Sequence, residues 1–288
     1  MPSLRWAAIA ALAATLNNAT PTMAAEAVGQ AVLIKTSVTG ATGPLVVSAP
    51  VHRDERIRTS NTGLGQFVFL DGTKLAVGWG SSVVIDKYVF NDEKSVKTLT
   101  IRAAKGTFRW ISGSSPSSAY RIVTPAGTIG VRGTAFDVHV APNGKTAVVL
   151  LKGSAKFCSG GGCRELKRRC DCVVATPSGA MTDVIKVNRS VLTTLGTPRA
   201  LPFLTGTQQL SGTFAGIGGS CGLAAAIQQD KAEPHAPAAS PPSPGTPDPP
   251  SPPDPPDPPA DDGNNGHGND PGKHDPSNPG KSEGPGKK

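Results

Sequence analysis

Five cysteines are the residues whose type and spacing point most directly to chemistry: Cys158, Cys163, Cys170, Cys172 and Cys221. Cys158 and Cys163 bracket Ser-Gly-Gly-Gly, which suits a short hairpin loop. Cys170 and Cys172 are two residues apart and would face the same side of a strand. We expect two disulfides within residues 158–172, with Cys221 free or paired to another chain, and the spacing leaves the exact pairing open.

Two other uses of these thiols fit the same sequence. Four thiolates within residues 158–172 could bind zinc, but their spacing is not the usual pair of C-x2-C knuckles. Cys170 and Cys172 could be a redox-active pair, because Arg168 and Arg169 beside them would lower a thiol pKa. Disulfides are the favoured interpretation, and we expect neither a metal nor a cofactor.

The five histidines do not indicate a catalytic site. His235, His267 and His274 lie near the C-terminus, His52 lies in a run of charged residues, and His139 alternates with apolar residues along a predicted strand. The sequence has no nucleophile elbow, no H-E-x-x-H motif and no phosphate-binding glycine loop with lysine. We therefore expect a protein that is not an enzyme, with an envelope enzyme built from distant residues as an alternative.

Candidate binding residues come from the arginines and aromatics between glycines. Arg132 stands between Gly130 and Gly133 and could hydrogen-bond a carboxylate with both arms of its guanidinium. Arg109 and Trp110 follow the glycine at 106, and an exposed Trp110 could stack on a sugar. These three residues are the predicted binding residues.

Short β-branched and aromatic runs between glycines and polar turns must position these groups. Strands are predicted at 31–36, 45–48, 65–70, 74–77, 82–85, 98–102, 106–111, 120–124, 135–140, 145–151 and 154–157. Few segments sustain a helical period, so the predicted fold class is all-β.

Four segments in order resemble the FecR domain family: DGTKLAVG from Asp71, a glycine before Phe-Arg-Trp, TPAGTIGVRGTAFDV from Thr124, and TAVVLLKGSA from Thr146. Most of the matching residues have roles in folding, since glycines tolerate turns and bends and the others alternate along strands. The predicted fold-defining residues are Asp71, Gly72, Thr73, Gly78, Gly106, Thr124, Pro125, Gly133, Thr134, Phe136 and Gly153.

The resemblance implies a twisted, solenoid-like β fold of stacked short strands. In full-length FecR regulators, this domain lies in the periplasm and reports the state of an outer-membrane transporter to a cytoplasmic sigma factor. Those regulators also have a cytoplasmic helical segment and a membrane span, which this sequence does not show. We therefore expect a stand-alone exported FecR-domain protein.

The sequence divides into four parts. Residues 1–27 have a basic start, an apolar stretch and small residues, as in a secretory signal peptide. Residues 28–187 form the predicted FecR-like β domain, and 188–233 a C-terminal extension with one short helix. Residues 234–288 hold 18 of the 28 prolines and none of the large apolar side chains, which predicts a disordered tail.

The net charge and the expected export of the protein limit the kinds of partner that it could bind. Residues 1–233 carry a net charge of about +12, which favours anionic partners. We expect an exported protein, periplasmic or extracellular, that binds an envelope protein such as a receptor or regulator and serves as a signalling accessory. A structural or adhesive surface protein that binds an anionic glycan is the alternative, and no nucleic acid is expected as a partner.

Overall fold

The structure is a computed structural model that describes residues 26–90, 95–217, 219 and 221–232. The predicted tail, and all but the last two residues of the predicted signal peptide, lie outside the described residues. No helix within the described ranges is long and apolar enough to cross a membrane.

The described residues form one large sheet followed by short helices. The strands are β1 Ala27–Lys35, β2 Val38–Thr39, β3 Pro50–His52, β4 Arg56–Thr59, β5 Leu64–Phe69, β6 Lys74–Val77, β7 Ser82–Phe90, β8 Val96–Ile111, β9 Tyr120–Thr124, β10 Gly127–Val140, β11 Thr146–Ser159, β12 Gly162–Leu166, β13 Asp171–Ala175 and β14 Ile185–Lys186. The helices are α1 Arg189–Leu195, α2 Pro202–Thr205 and α3 Leu223–Ala232, with 3-10 turns at Ser117–Ala119 and Gly212–Phe214. The prediction of an all-β fold is confirmed, whereas the solenoid arrangement stays a prediction.

The sheet has the strand order β14-β13-β11-β10-β9-β8-β6-β5-β1-β3, with β12, β2, β4 and β7 paired off this path. All strand pairs are antiparallel except β8 with β9, which is parallel. The long strands change partners along their length. β10 pairs with β9 over its first residues and with β8 over its last, while β11 pairs with β13 and then with β12.

Two of the predicted breaks between strands are wrong. The predicted strands at 98–102 and 106–111 are one strand, β8, and those at 145–151 and 154–157 are one strand, β11. Gly153 continues β11 with φ +78°, and a Cβ there would lie 2.3 Å from the carbonyl oxygen of Gly133 on the neighbouring strand. Glycine at this position therefore lets two strands bend in close contact without ending either.

The predicted strand at 45–48 is also wrong. Val46 and Val47 are exposed in a turn, closed by a hydrogen bond from the N–H of Ala49 to the carbonyl of Val46. Ser48 in that turn has φ +68°. The N–H groups of Leu45 and Ser48 donate to Val38 on β2 and to Ala31 on β1, but the turn between them keeps Val46 and Val47 out of an extended, paired backbone.

A bulge in β10 turns one continuous sheet face into two surfaces. Before the bulge, Ile129 and Val131 point into the main core, and after it Phe136 and Val138 do so. The opposite face therefore carries Gly130 and Arg132 first, then Ala135 and the alternate residues that follow it. The pairing register with β11 shifts between Arg132 and Phe136, which accounts for the change in phase.

The C-terminal extension covers the second of these two surfaces. Apolar residues of α1, α2 and α3 pack against the outward residues of β10, β11 and β13; the cluster includes Ala135, Ala147, Val149, Leu151, Val174, Val191, Leu192, Leu195, Leu204 and Leu223. The sequence predicted one helix in this extension, and its described residues form three, α1, α2 and α3. The first surface, around Gly130 and Arg132, is left open.

Candidate functional site

The open surface is a groove of about 880 Å³ over β9, β10, β11 and β12. Its basic residues are Arg121, Arg132, Lys156 and Lys167, and its acidic residue is Glu165. The rest of the lining is small or polar: Ser117, Ser118, Tyr120, Thr128, Gly130, Val131, Ser154, Ala155 and Cys158. The groove therefore has a formal charge of +3 from these five ionisable side chains.

Strand pairing sets the groove residues in a row across the sheet. Gly130 pairs with Arg121 on one side and with Lys156 on the other, and Lys156 pairs with Glu165. All four are exposed, because their neighbours along each strand point into the core. A side-chain-free glycine therefore lies between two cations on adjacent strands.

Gly130 gives the groove a bare floor. A Cβ built there would have 4.0 Å to its nearest atom, the carbonyl oxygen of Lys156, and the backbone is not in the left-handed region. The space above this residue is thus open to a ligand and not filled by the protein. Gly130 itself makes no bend, since the residue lies within an extended stretch of β10 that is paired on both sides.

Arg132 was predicted as a binding residue. In the structure it is exposed and lines the groove. Its backbone N–H donates to Thr134 Oγ1 at 2.8 Å, and that hydroxyl donates to the carbonyl of Ser154 on β11. Thr134 therefore fixes the bulge that aims Arg132 outward. Within the described part of the chain, the side chains of Arg121, Arg132 and Lys156 make no hydrogen bond or ion pair.

Lys167 and Glu165 form an ion pair at the rim, 2.9 Å apart. The hydrogen bond between them raises the pKa of Lys167 and lowers that of Glu165. Both side chains are exposed, so the pair contributes little to stability. The positive charge of Lys156, which faces Glu165 across β11 and β12, also lowers the pKa of Glu165, so Glu165 offsets part of the charge of both lysines.

Arg109 and Trp110 do not reach this groove, and their prediction as surface binding residues is wrong. Both side chains are buried. The Trp110 ring contacts Tyr120 edge to face at 5.5 Å, and its Nε1 donates to Ser112 Oγ. Trp110 thus packs in the core, where it supports β9.

Arg109 is one half of a buried ion pair beneath the C-terminal extension. Its Nε and Nη2 donate to the two carboxylate oxygens of Asp137 at 2.6 and 2.8 Å, and its Nη1 donates to the carbonyl of Phe214. The Phe203 ring lies 5.6 Å from the guanidinium. Burial raises the pKa of Asp137, and the positive charge of Arg109 opposes that rise. Arg109 therefore joins the sheet to the extension.

Thr107 and His139 form the pair closest to a nucleophile and base. Thr107 Oγ1 lies 2.8 Å from His139 Nδ1, and both residues are buried under the extension. Burial lowers the pKa of His139 to about 4. Both side chains are enclosed between the sheet and the extension, where His139 Nε2 has no hydrogen-bond partner among the described residues.

His139 makes stability depend on pH. Its pKa of about 4 in the folded protein lies below the ordinary value of 6.5, so the unfolded chain binds more protons between those values. Stability from this residue is present above pH 6.5 and is lost as pH falls through 6.5 towards 4. We expect the free energy of unfolding to fall by about 2 kcal/mol between pH 7 and pH 5 from this residue. Denaturant unfolding at both pH values, compared with His139→Gln, measures it; an equal pH dependence in the variant would contradict it.

The cysteines pair differently from the expectation. Cys158 bonds Cys163 across the β11–β12 hairpin, and Cys170 bonds Cys221 in the extension, leaving Cys172 as a buried free thiol. The predicted pairing within residues 158–172 is thus wrong for the second bond, because β13 places Cys172 inward, away from solvent.

The two disulfides between these four cysteines also argue against both alternatives, a zinc site and a redox-active pair. A zinc site with four thiolates within residues 158–172 is incompatible with these bonds. Burial raises the pKa of Cys172 to about 12, which disfavours the reactive thiolate that a redox C-x-C pair needs.

Asp71, one of the predicted fold-defining residues, supports a wall of the groove through Tyr120. Asp71 is buried in the β5–β6 turn, where Gly72 has φ +79°. Its carboxylate accepts hydrogen bonds from the Thr73 N–H and hydroxyl, from Ser115 Oγ and from Tyr120 OH. Because Tyr120 lines the groove and begins β9, Asp71 holds one wall of the groove in place.

Comparison with known proteins agrees with the resemblance. Residues 55–156 match a family model described as FecR protein, which confirms the predicted relationship and includes every motif quoted above. No functionally curated protein matches the chain.

Two crystal structures, at 1.65 and 2.50 Å resolution, resemble the fold; both are of a protein described as a "putative anti-sigma factor" from Parabacteroides distasonis ATCC 8503. Each has 14% sequence identity and a TM-score of 0.36, and the alignment covers 44% of this chain. This chain spans 57% of that protein's length.

Proposed function

We propose that this chain, with its FecR domain at residues 55–156, is a non-catalytic, exported accessory of envelope signalling that binds a regulatory protein partner through the basic groove. The observation that carries the proposal is the convergence of Arg121, Arg132 and Lys156 on an open face, two of them within or beside the VRGT motif in the sheet. A surface built only for solubility would not need a bare glycine between cations.

Export is part of this proposal. The predicted signal peptide at residues 1–27 supports it, and two disulfides are typical of proteins that fold in oxidising compartments. In this division, residues 28–187 carry the groove, residues 188–233 cover the neighbouring face, and residues 234–288 act as a spacer. The accessory role follows the known roles of FecR domains.

Cross-linking capture from native envelopes tests the proposal. The bait is the full mature chain made in an oxidising compartment, compared with Arg132→Ala and with Lys152→Ala. Lys152 is an exposed cation on β11 outside the groove, so it is a matched control for charge. Circular dichroism establishes that each variant is folded.

We expect one receptor or regulator to be recovered by the wild type and by Lys152→Ala but at least fivefold less by Arg132→Ala, since a lost charged hydrogen bond is worth about 1.5–3 kcal/mol. Equal recovery by all three baits, or no specific protein, would sink the proposal.

A further inference from the structure

The spacing of the groove cations constrains what can bind across them. Arg121 and Lys156 lie two strands apart, with Gly130 on the strand between. Neighbouring strands are about 4.8 Å apart, so the two backbones are separated by about 10 Å. Two anionic groups on one ligand, separated by a similar distance, could each form an ion pair with one of the two cations where it stands.

Arg132 adds a third cation along the strand direction. It lies two residues from Gly130 on β10, which is about 7 Å. The three cations thus form a triangle around the bare glycine, and a ligand lying across the strands would pass over Gly130. Such a ligand must be narrow where it crosses the floor and must carry more than one negative group.

The lining favours a protein segment over a sugar chain. Sugar-binding sites commonly offer an exposed aromatic face, whereas Tyr120 is the only aromatic residue among those lining this groove, and its ring is buried against Trp110. The arginines instead suit carboxylates, which they hold with two parallel hydrogen bonds.

We propose that the groove binds an extended acidic segment of the partner protein, in polyproline II conformation, with carboxylates three residues apart. This inference rests on the proposed function and names the chemistry of its partner. A polyproline II helix has three residues per turn and rises about 3.1 Å per residue, so residues i and i+3 share one face about 9 Å apart. One carboxylate then pairs with Arg121 and the next with Lys156. Arg132, on the strand between them, adds a second hydrogen bond to the carboxylate that lies nearer to it.

Peptides of defined spacing test this geometry. The probe is Pro-Pro-Asp-Pro-Pro-Asp-Pro-Pro, and its control, Pro-Pro-Pro-Asp-Asp-Pro-Pro-Pro, has the same composition and charge but adjacent carboxylates. The chain's own sequence contains the probe spacing at Asp254 and Asp257. The full mature chain is therefore used both as wild type and as Asp254→Asn/Asp257→Asn, so that no copy of that spacing competes with the probe.

Binding is measured by fluorescence anisotropy of the labelled peptide at low and high salt. We expect the probe to bind the Asp254→Asn/Asp257→Asn chain at least fivefold more tightly than the control peptide does. Adding Lys156→Ala to that chain should weaken binding about tenfold, and adding Lys152→Ala should leave it unchanged. Binding should weaken as salt rises.

Three results would overturn the inference: equal binding of the two peptides, no binding of either, or tighter binding of a uronic acid oligosaccharide, which would favour a glycan ligand. The capture experiment separates this failure from failure of the proposed function. A protein that still depends on Arg132 for capture would leave the proposed function standing with a different partner chemistry.

Discussion

Replacing Asp137 with alanine is expected to lower the free energy of unfolding by about 3–5 kcal/mol, since it leaves the buried guanidinium of Arg109 without its counter-charge. The other contacts of Arg109, the Phe214 carbonyl and the Phe203 ring, carry no negative charge to neutralise it. Urea unfolding of the mature chain measures the change. The extension should also loosen, because Arg109 links it to the sheet, and hydrogen exchange at residues 189–217 reports that.

Two variants control this prediction. Asp183→Ala removes an exposed ion pair with Arg164 and should cost less than about 1 kcal/mol. Arg109→Met/Asp137→Leu removes both charges and should recover most of the stability lost in Asp137→Ala, because no buried charge is left unpaired. Similar losses in Asp137→Ala and Asp183→Ala would contradict the role given to the buried pair.

Asp71→Ala is the second large effect, with an expected loss of about 3–4 kcal/mol. The substitution leaves the Thr73 N–H and the hydroxyls of Thr73, Ser115 and Tyr120 without their acceptor in a buried site. Asp71→Asn keeps one acceptor oxygen and should lose less. Thermal and urea unfolding of both variants measure the order.

The position of Tyr120 gives a second readout for the same variants. Without Asp71, the Tyr120 hydroxyl loses its 2.7 Å hydrogen bond, and the start of β9 should become less protected in hydrogen exchange. Wild-type protection of β9 in Asp71→Ala would show that the turn does not hold the groove wall.

Local features of the fold were predictable from the sequence because their causes are local. The turn at Asp71 and Gly72 follows from residue type, and the short β-branched and aromatic runs predicted the all-β class. Arg132 was predicted as a binding residue from its position between two glycines, and it is exposed. Gly153 was recognised as important, but its effect depends on a neighbouring strand that brings the Gly133 carbonyl within 2.3 Å of a Cβ position.

The groove itself could not be predicted, since it depends on which residues of neighbouring strands pair with each other. Arg121 and Lys156 are 35 residues apart in sequence and become neighbours of Gly130 only through two strand pairings. Each cation alternates with apolar residues, which marks it as exposed but not as part of a common surface. The bond between Cys170 and Cys221 was not predicted for the same reason, because it depends on how the extension folds back over 51 residues.

Filling the groove floor tests whether the partner binds over Gly130. Gly130→Leu places a side chain over the site without changing any charge, and the backbone and the space above it accept a side chain. Gly216→Leu is its control, since Gly216 is also exposed, has no atom within 4 Å of its Cβ position and lies outside the groove. In envelope capture, we expect Gly216→Leu to retain the regulatory partner and Gly130→Leu to lose it at wild-type stability; equal capture by both variants would contradict binding in the groove.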